Sequence, residues 1–261
     1  MLRIRNTIRK VKMATVIMFT FAIFANTANA TIVRFETSLG DFQVNLYDEA
    51  TPESVANFLT YLNSGTFGNT VIHRSVSGFI IQGGGFLYNN SWPPVSVQTN
   101  ATINNEPTYS NVRGTIAYAK LGSDPNSATS QWFFNLGNNA ANLDNQNSGF
   151  TVFGEVMDNG MEVIDAIAAL NTYNLGGAFT DIPLQNYTTG TDPNDTNIML
   201  ITDIVIADDS VNTAAGLNPA LTTRSTTTDG ASSGGGSLGY MVFSLVILFS
   251  RKNLKRIRRK D

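Results

Sequence analysis

Cysteine is absent from this chain of 261 residues, and histidine occurs only once. Without cysteine no disulfide can form, so the fold must be held together by core packing alone. A zinc site usually needs several His or Cys ligands, which this chain cannot supply. The three glycines at 83–85 lack the Lys and Ser/Thr of a phosphate-binding loop. We therefore expect no metal and no cofactor.

Basic residues are scarce outside the two ends of the chain. Of the 17 Lys and Arg residues, five lie before residue 13 and seven lie after residue 250. The interval 31–237 holds only five of them, against 19 of the 20 Asp and Glu residues. Such an acidic surface repels nucleic acid, which excludes nucleic acid as a partner, and it makes each internal arginine conspicuous.

The first 30 residues have the parts of a signal peptide. Five basic residues are followed by an apolar run at 13–25 and by Ala28-Asn29-Ala30, a small-x-small cleavage pattern. A membrane anchor is the alternative, although the run is shorter than the ~20 residues that a span needs. The pattern predicts an exported protein, and therefore the export machinery as a partner.

The last 53 residues divide into three segments. Residues 209–237 are rich in Thr, Ser and Gly and predict a flexible linker. Residues 238–250 are apolar and predict a membrane segment, and the basic residues at 251–261 favour a cytoplasmic tail. From residue 233 onward the pattern resembles the GlyGly-type C-terminal sorting signals of some Gram-negative bacteria. That resemblance implies cleavage by a rhomboid-like sorting protease and a location in the periplasm or at the cell surface; the alternative is a simple tail anchor.

The remaining residues, 31–208, suffice for one domain of ordinary size, expected to be a monomer. Two-residue alternation and apolar runs predict a series of short strands. The predicted strands are 31–36, 41–47, 71–74, 79–82, 114–119, 132–136, 151–156 and 198–206.

Two helices are predicted between these strands. Thr51 is the expected N-cap of the first, with Pro52 in its first position, and the second covers 160–170. Two long loops, 87–107 and 171–197, remain. Many short strands with two helices predict a mainly β fold, a closed antiparallel barrel capped by helices.

The most informative segment is 71–85, which places the single histidine beside an arginine. An apolar stretch follows and ends in a glutamine and three glycines. An exposed Arg and Gln beside buried aromatic rings can hold a peptide carbonyl without covalent chemistry. The combination indicates catalysis of bond rotation rather than of bond cleavage.

Four blocks of sequence resemble the cyclophilin family of peptidyl-prolyl cis–trans isomerases, and most closely its bacterial periplasmic branch. They are Ile72-His73-Arg74 with Gly78-Phe79-Ile80-Ile81-Gln82-Gly83-Gly84, then Arg113-Gly114-Thr115-Ile116-Ala117-Tyr118-Ala119, then Ser127-Ala128-Thr129-Ser130-Gln131-Trp132-Phe133-Phe134-Asn135, and finally Phe150-Thr151-Val152-Phe153-Gly154-Glu155-Val156. The resemblance implies a closed eight-stranded antiparallel barrel with a helix over each end. It also implies proline-containing polypeptides as substrates.

The resemblance assigns roles to ten residues. Arg74 is the implied catalytic donor to the prolyl amide. The other nine match positions that line the site or hold the substrate: His73, Phe79, Ile80, Gln82, Ala119, Gln131, Phe133, Leu143 and Phe150. His73 is expected to shape the pocket rather than to transfer protons.

Four positions depart from the family pattern: Tyr118 stands where Met is frequent, Trp132 replaces the first Phe of the usual pair, and Asn142 and Phe150 bear on the site. Asn142 stands where the family usually carries Trp or another aromatic, which predicts weak inhibition by cyclosporin. Phe150 stands where His or Tyr is frequent. Two other functions stay open: a proline-peptide binding module without turnover, favoured by Asn142, and a surface scaffold in which the linker and tail matter more than the pocket.

Overall fold

The structure is a computed structural model that describes residues 31–210, residue 213 and residues 216–224. The predicted signal peptide, the hydrophobic segment and the basic tail lie outside the described residues, as does the linker beyond residue 224. No helix within the described ranges is long and apolar enough to cross a membrane.

The described part of the chain is mainly β, with few helices. Its strands are β1 Ile32–Thr37, β2 Phe42–Leu46, β3 Thr70–Val71, β4 Arg74–Val76, β5 Ile80–Gly83, β6 Phe86–Leu87, β7 Val95–Ser96, β8 Thr115–Tyr118, β9 Trp132–Asn135, β10 Val152–Val156, β11 Thr172–Tyr173, β12 Ile182–Pro183 and β13 Leu200–Asp208. Its helices are α1 Pro52–Asn63, α2 Ala140–Leu143 and α3 Gly160–Ala168, with a 3-10 turn at Gln146–Ser148.

Eleven of these strands form one antiparallel sheet, in the order β4-β5-β9-β8-β10-β2-β1-β13-β3-β6-β7. This is an open, curled sheet, not the closed eight-stranded barrel that was expected. The ladder is interrupted where the segment predicted as one strand is split into β3, which pairs with β13, and β4, which pairs with β5. Between them, Ile72 N–H donates to Met199 O and His73 N–H donates to Gln82 O, so the chain changes partners there.

The larger hydrophobic core lies on one face of the sheet and is built from aromatic rings. Phe35 stacks on Phe42 with ring centroids 5.0 Å apart, and the Trp132 ring meets Phe35 edge-on at 5.3 Å. Along β9, Trp132 and Phe134 belong to this core, whereas Phe133 between them belongs to a second cluster. Since side chains alternate along a strand, that second cluster lies on the opposite face.

Helix α1 begins at the predicted residues but is not capped by the predicted side chain. The Thr51 hydroxyl donates to Tyr47 O at 3.2 Å instead of accepting from the helix. The Glu106 carboxylate accepts the N–H groups of Glu53 at 3.2 Å and Ser54 at 2.8 Å. A carboxylate suits the positive end of a helix, so the first long loop is fixed to the start of α1.

The two long loops pack against each other. Phe179 of the second loop lies 5.1 Å from Trp92 of the first and 5.0 Å from Phe86, measured between ring centroids. These rings join a third hydrophobic cluster that includes Val71 and Ile198. The second loop is thereby held beside β3 and the start of β4.

Candidate active site

Three of the residues assigned by resemblance are direct neighbours across adjacent strands. Arg74 on β4 is opposite Gln82 on β5, and Gln82 is opposite Phe133 on β9. Ala117 on β8 continues the row beyond Phe133. Directly opposed residues in an antiparallel sheet project from the same face, so the guanidinium, the amide and the phenyl ring share one surface.

An apolar wall surrounds Phe133 on this face. Ile80, Phe133, Leu143 and Phe150 are all at least 94% buried and belong to the second cluster, with Phe79 packed against it. The Phe133 and Phe150 rings meet edge-on at 5.9 Å, and Phe150 N–H donates to Leu143 O at 3.0 Å. The structure therefore gathers all five pocket residues assigned by resemblance into one apolar surface.

The polar residues of the site are linked to one another. Gln82 Nε2 donates to Gln131 Oε1 at 2.9 Å, and Ala119 N–H donates to Gln131 O at 2.9 Å. A Cβ atom on Gly85 would lie 2.7 Å from Gln131 Cδ, so a larger residue there would displace the Gln131 side chain from this position. The three polar positions assigned to substrate binding thus form one connected edge of the apolar wall.

Arg74 lies in a partly dry environment beside a carboxylate. Its side chain is 20% exposed, and its Nε atom lies 3.8 Å from Asp181 Oδ2. Asp181 comes from the second long loop, and its carbonyl accepts Ser75 N–H at 2.8 Å, which fixes the loop to β4. Burial lowers the pKa of Arg74 and the Asp181 charge acts against that shift. The guanidinium starts so far above neutral pH that it stays protonated.

His73 points into protein, not into solvent. Its side chain is 2% exposed, and its ring meets Phe86 edge-on at 4.9 Å. Burial, and to a lesser extent the Arg74 charge, lower the pKa of His73 to about 4. The imidazole is therefore neutral at physiological pH, and it contacts the loop cluster.

The buried imidazole makes stability depend on pH. Between pH 6.5 and about 4 the unfolded chain takes up a proton that the native chain does not, so the unfolding free energy falls as pH falls. We expect a loss of about 3 kcal/mol over this window. The measurement is the unfolding free energy of the wild type minus that of His73→Gln, obtained from urea unfolding at each pH. Because His73 is the only histidine, its NMR signals are unambiguous; titration near pH 6.5 in the native chain would contradict the prediction.

Sequence reasoning missed a set of buried polar residues that support the pocket. Asn139 Nδ2 donates to Phe79 O at 2.8 Å, and Asn111 Nδ2 donates to Phe150 O at 3.1 Å. Asp144 Oδ1 accepts the Asn111 N–H at 2.8 Å. These residues fix the backbone of two pocket walls. The only signal in the sequence is a high density of Asn in segments that look like loops.

Lys120 is a second residue that sequence reasoning missed. Its Nζ atom lies 4.8 Å from the centre of the Phe150 ring and donates to Gly149 O at 2.5 Å and Asn147 O at 3.0 Å. Burial, followed by repulsion from Arg224, lowers its pKa to about 8. Lys120 thus holds Phe150 by a cation–π contact.

Asn142, the departure from the family pattern, lies on the exposed side of α2, next to the buried Leu143. Within the ranges that the structure describes, no three His, Cys, Asp or Glu side chains come close enough to hold a metal ion. The described residues of the site offer a cation, amides and an apolar wall.

Residues 32–189 match the family model "Cyclophilin type peptidyl-prolyl cis-trans isomerase/CLD". The chain is 37% identical over 168 residues to a peptidyl-prolyl cis-trans isomerase of Acinetobacter baylyi, covering 63% of this chain and 86% of that protein. It is 42% identical over 157 residues to peptidyl-prolyl cis-trans isomerase A of Dickeya dadantii, covering 59% and 78%. With peptidyl-prolyl cis-trans isomerase B of Escherichia coli it shares 39% identity over 162 residues, covering 59% and 94%.

A solved structure shares the fold. The cyclophilin type peptidyl-prolyl cis-trans isomerase of Cryptosporidium parvum superposes with a TM-score of 0.50 at 24% identity, covering 69% of this chain and 98% of that chain. The sheet, the site and these relatives define a prolyl isomerase. The chain belongs to the family of cyclophilin-type peptidyl-prolyl cis-trans isomerases.

Proposed function

We propose that this isomerase acts by stabilising the twisted X–Pro amide through Arg74, over an apolar pocket that holds the proline ring. The observation that supports the proposal is the row Arg74, Gln82 and Phe133 across three adjacent strands. It brings a fixed cation, a backbone-binding amide and an aromatic ring to one surface.

The reaction requires only these three kinds of group. Rotation about an X–Pro bond faces a barrier of about 18–20 kcal/mol because amide resonance is lost. In the twisted amide the nitrogen becomes pyramidal and can accept a hydrogen bond. A donor placed near that nitrogen therefore binds the transition state more strongly than either ground state, which is the requirement for catalysis.

The surroundings of Arg74 favour such differential binding. The side chain is only 20% exposed and is held at Nε by Asp181, 3.8 Å away. Electrostatic interactions strengthen where water is scarce, and the row places Arg74 on the same surface as the buried Phe133 ring.

An assay on a short X–Pro peptide tests whether the chain turns substrate over. We expect a first-order acceleration of cis–trans exchange that is proportional to enzyme concentration. Binding of the peptide with no acceleration would favour the alternative, a proline-peptide binding module, and would refute the proposed mechanism.

We further propose that the natural substrates are exported proteins and that the enzyme works in the periplasm or at the cell surface. The support is the signal-like segment 1–30 and the sorting-like segment from residue 233 onward. Mass spectrometry of both termini of the native protein tests this. We expect the mature chain to begin near Thr31, and an intact Met1 with a cytoplasmic location would overturn the proposal.

Cyclosporin inhibition should respond to one substitution at the pocket rim. Asn142 is exposed beside Leu143 and offers the inhibitor no ring to pack against. We expect Asn142→Trp to tighten inhibition about tenfold or more, since burying an aromatic contact is worth roughly 1.5 kcal/mol or above. Asn145→Trp, at an exposed position just after α2, is the matched control. Nanomolar inhibition of the wild type, or equal gains in both variants, would contradict the prediction.

A further inference from the structure

Residues 217–224, here called the strap, lie against the domain although they fall within the predicted linker. Leu221 pairs antiparallel with Tyr109. Ser110 N–H donates to Ala220 O at 2.8 Å, and Thr222 N–H donates to Thr108 O at 3.0 Å. The strap thus forms one antiparallel bridge with the extended segment 108–110.

One side chain of the strap is anchored in the domain. Both the N–H and the hydroxyl of Thr223 donate to Asp144 Oδ2 at 3.0 Å. Asp144 is 1% exposed and also accepts the Ser110 hydroxyl at 2.7 Å and the Asn111 N–H at 2.8 Å. A buried carboxylate held by these donors is a fixed acceptor for one more hydroxyl-bearing residue.

The domain makes little contact with most other side chains of the strap. The Leu221 side chain is 70% exposed, and Ala220 is exposed as well. Leu217 is partly buried against the second hydrophobic cluster. The domain therefore recognises an extended backbone, one apolar residue and a Thr two residues after Leu221, which pairs with Tyr109. The side chains between them are not selected.

We propose that the backbone edge 108–110 and the Asp144 carboxylate form an extended-peptide binding site, which this chain fills with its own strap; the site borders the second hydrophobic cluster but does not use the Arg74–Gln82 side of the proline pocket. Its ligand class is an extended peptide with a Thr or Ser two residues beyond the residue that pairs with Tyr109. Main-chain pairing supplies the binding and the hydroxyl fixes the register, which resembles on a small scale the recognition of extended peptides by strand addition.

The site is connected to the supports of the proline pocket. Asp144 directly follows Leu143, and its partner Asn111 also holds Phe150 O at 3.1 Å. The peptide-binding edge is therefore connected to the pocket walls at Leu143 and Phe150, in the second case by hydrogen bonds through Asn111. The binding itself does not use Arg74, so the proposal stands independently of the proposed catalytic mechanism.

The test uses the full chain and a labelled synthetic peptide of residues 216–224. The double variant Thr222→Pro with Thr223→Val weakens the strap, because it removes one backbone donor and one hydroxyl. Asn218→Ala, an exposed position within the strap, is the control. A tethered segment competes at millimolar effective concentration, so fluorescence anisotropy should show binding to the double variant at least tenfold tighter than to the wild type or the control. Equal binding to all three chains, or none up to 1 mM peptide, would overturn the proposal.

Peptide variants separate this site from the proline pocket, because the strap contains Pro219. Binding to the double variant should survive Pro219→Ala in the peptide and weaken at least tenfold with Thr223→Val in the peptide. The reverse pattern would show binding in the proline pocket and would overturn the proposal. Adding Arg74→Ala to the double variant should leave peptide binding unchanged even where isomerase activity is lost.

Hydrogen exchange locates the binding without any label. The amide of Ser110 should exchange at least tenfold faster in the double variant than in the wild type, and the peptide should restore its protection. Equal exchange of this amide in both chains would show that the strap is not docked, which would overturn the proposal.

Discussion

Arg74→Ala should lower kcat/KM for an X–Pro peptide by about 10²-fold or more, since loss of one transition-state donor commonly has this effect. Arg74 is opposite Gln82, which is opposite Phe133, so its guanidinium shares the surface of the apolar wall. Substrate binding relies on that wall and on the amides, so we expect the loss mainly in kcat. A protease-free assay of cis–trans exchange by NMR measures both parameters.

A second substitution tests whether charge alone suffices. Arg74→Lys keeps the positive charge but replaces a planar fork of donors with a single ammonium group. We expect it to recover only a small part of the lost activity. Full recovery would show that a positive field, not a directed hydrogen bond, carries the catalysis.

Arg34→Ala is the matched control for loss of an arginine. Arg34 also lies in a strand and pairs with a carboxylate, Glu36, at 2.6 Å, but it is on β1, outside the row of site residues. The change in net charge is the same, so we expect activity within a factor of two of the wild type. If Arg74→Ala also retained full activity, the proposed mechanism would be wrong.

Gly84→Ala should lower the unfolding free energy by about 3 kcal/mol or more, through two effects that add. Gly84 has φ +75°, where a side chain costs about 1–2 kcal/mol. A Cβ atom there would also lie 2.6 Å from Ser130 O and 2.7 Å from Trp132 Nε1, so β9 would have to shift. Urea unfolding followed by circular dichroism measures the loss.

Gly65→Ala separates the two effects. Gly65 has a similar φ of +69° but has no atom within 4 Å of a Cβ, so the conformational cost remains and the overlap is absent. We expect a loss of only about 1–2 kcal/mol. Equal losses in both variants would mean that the close approach of Ser130 and Trp132 relaxes freely.

The alternation of side chains could be predicted from the sequence, and the change of strand partners could not. The period of two along 79–82 and 132–136 separates Ile81 and Phe134 from Gln82 and Phe133, and the structure places these pairs on opposite faces. The change of strand partners at Ile72 cannot be seen in the hydrophobic pattern of the sequence, because the neighbours Val71 and His73 are buried too. Two-residue strands such as β6 and β7 are too short to show any period.

The support of the pocket was less predictable than its lining. The burial of apolar residues such as Ile80 and Leu143 could be predicted from their residue type, and the resemblance assigned them to the pocket. Asn139 and Asn111 are polar residues of the kind that usually marks exposed turns. Only the fold shows that they are buried because they satisfy backbone carbonyl groups. The strap was missed for the same reason, since Thr223 finds its partner, Asp144, 79 residues away.

The separation of Trp92 from Trp132 gives the chain two distinct optical reporters. They are its only tryptophans. Trp132 is fully buried among the rings of the main core, whereas Trp92 is half-buried beside Phe179 where the long loops meet. We therefore expect their emission to differ in wavelength, and we expect local opening of the loops to change the red-shifted component while the blue-shifted component persists until the whole domain unfolds.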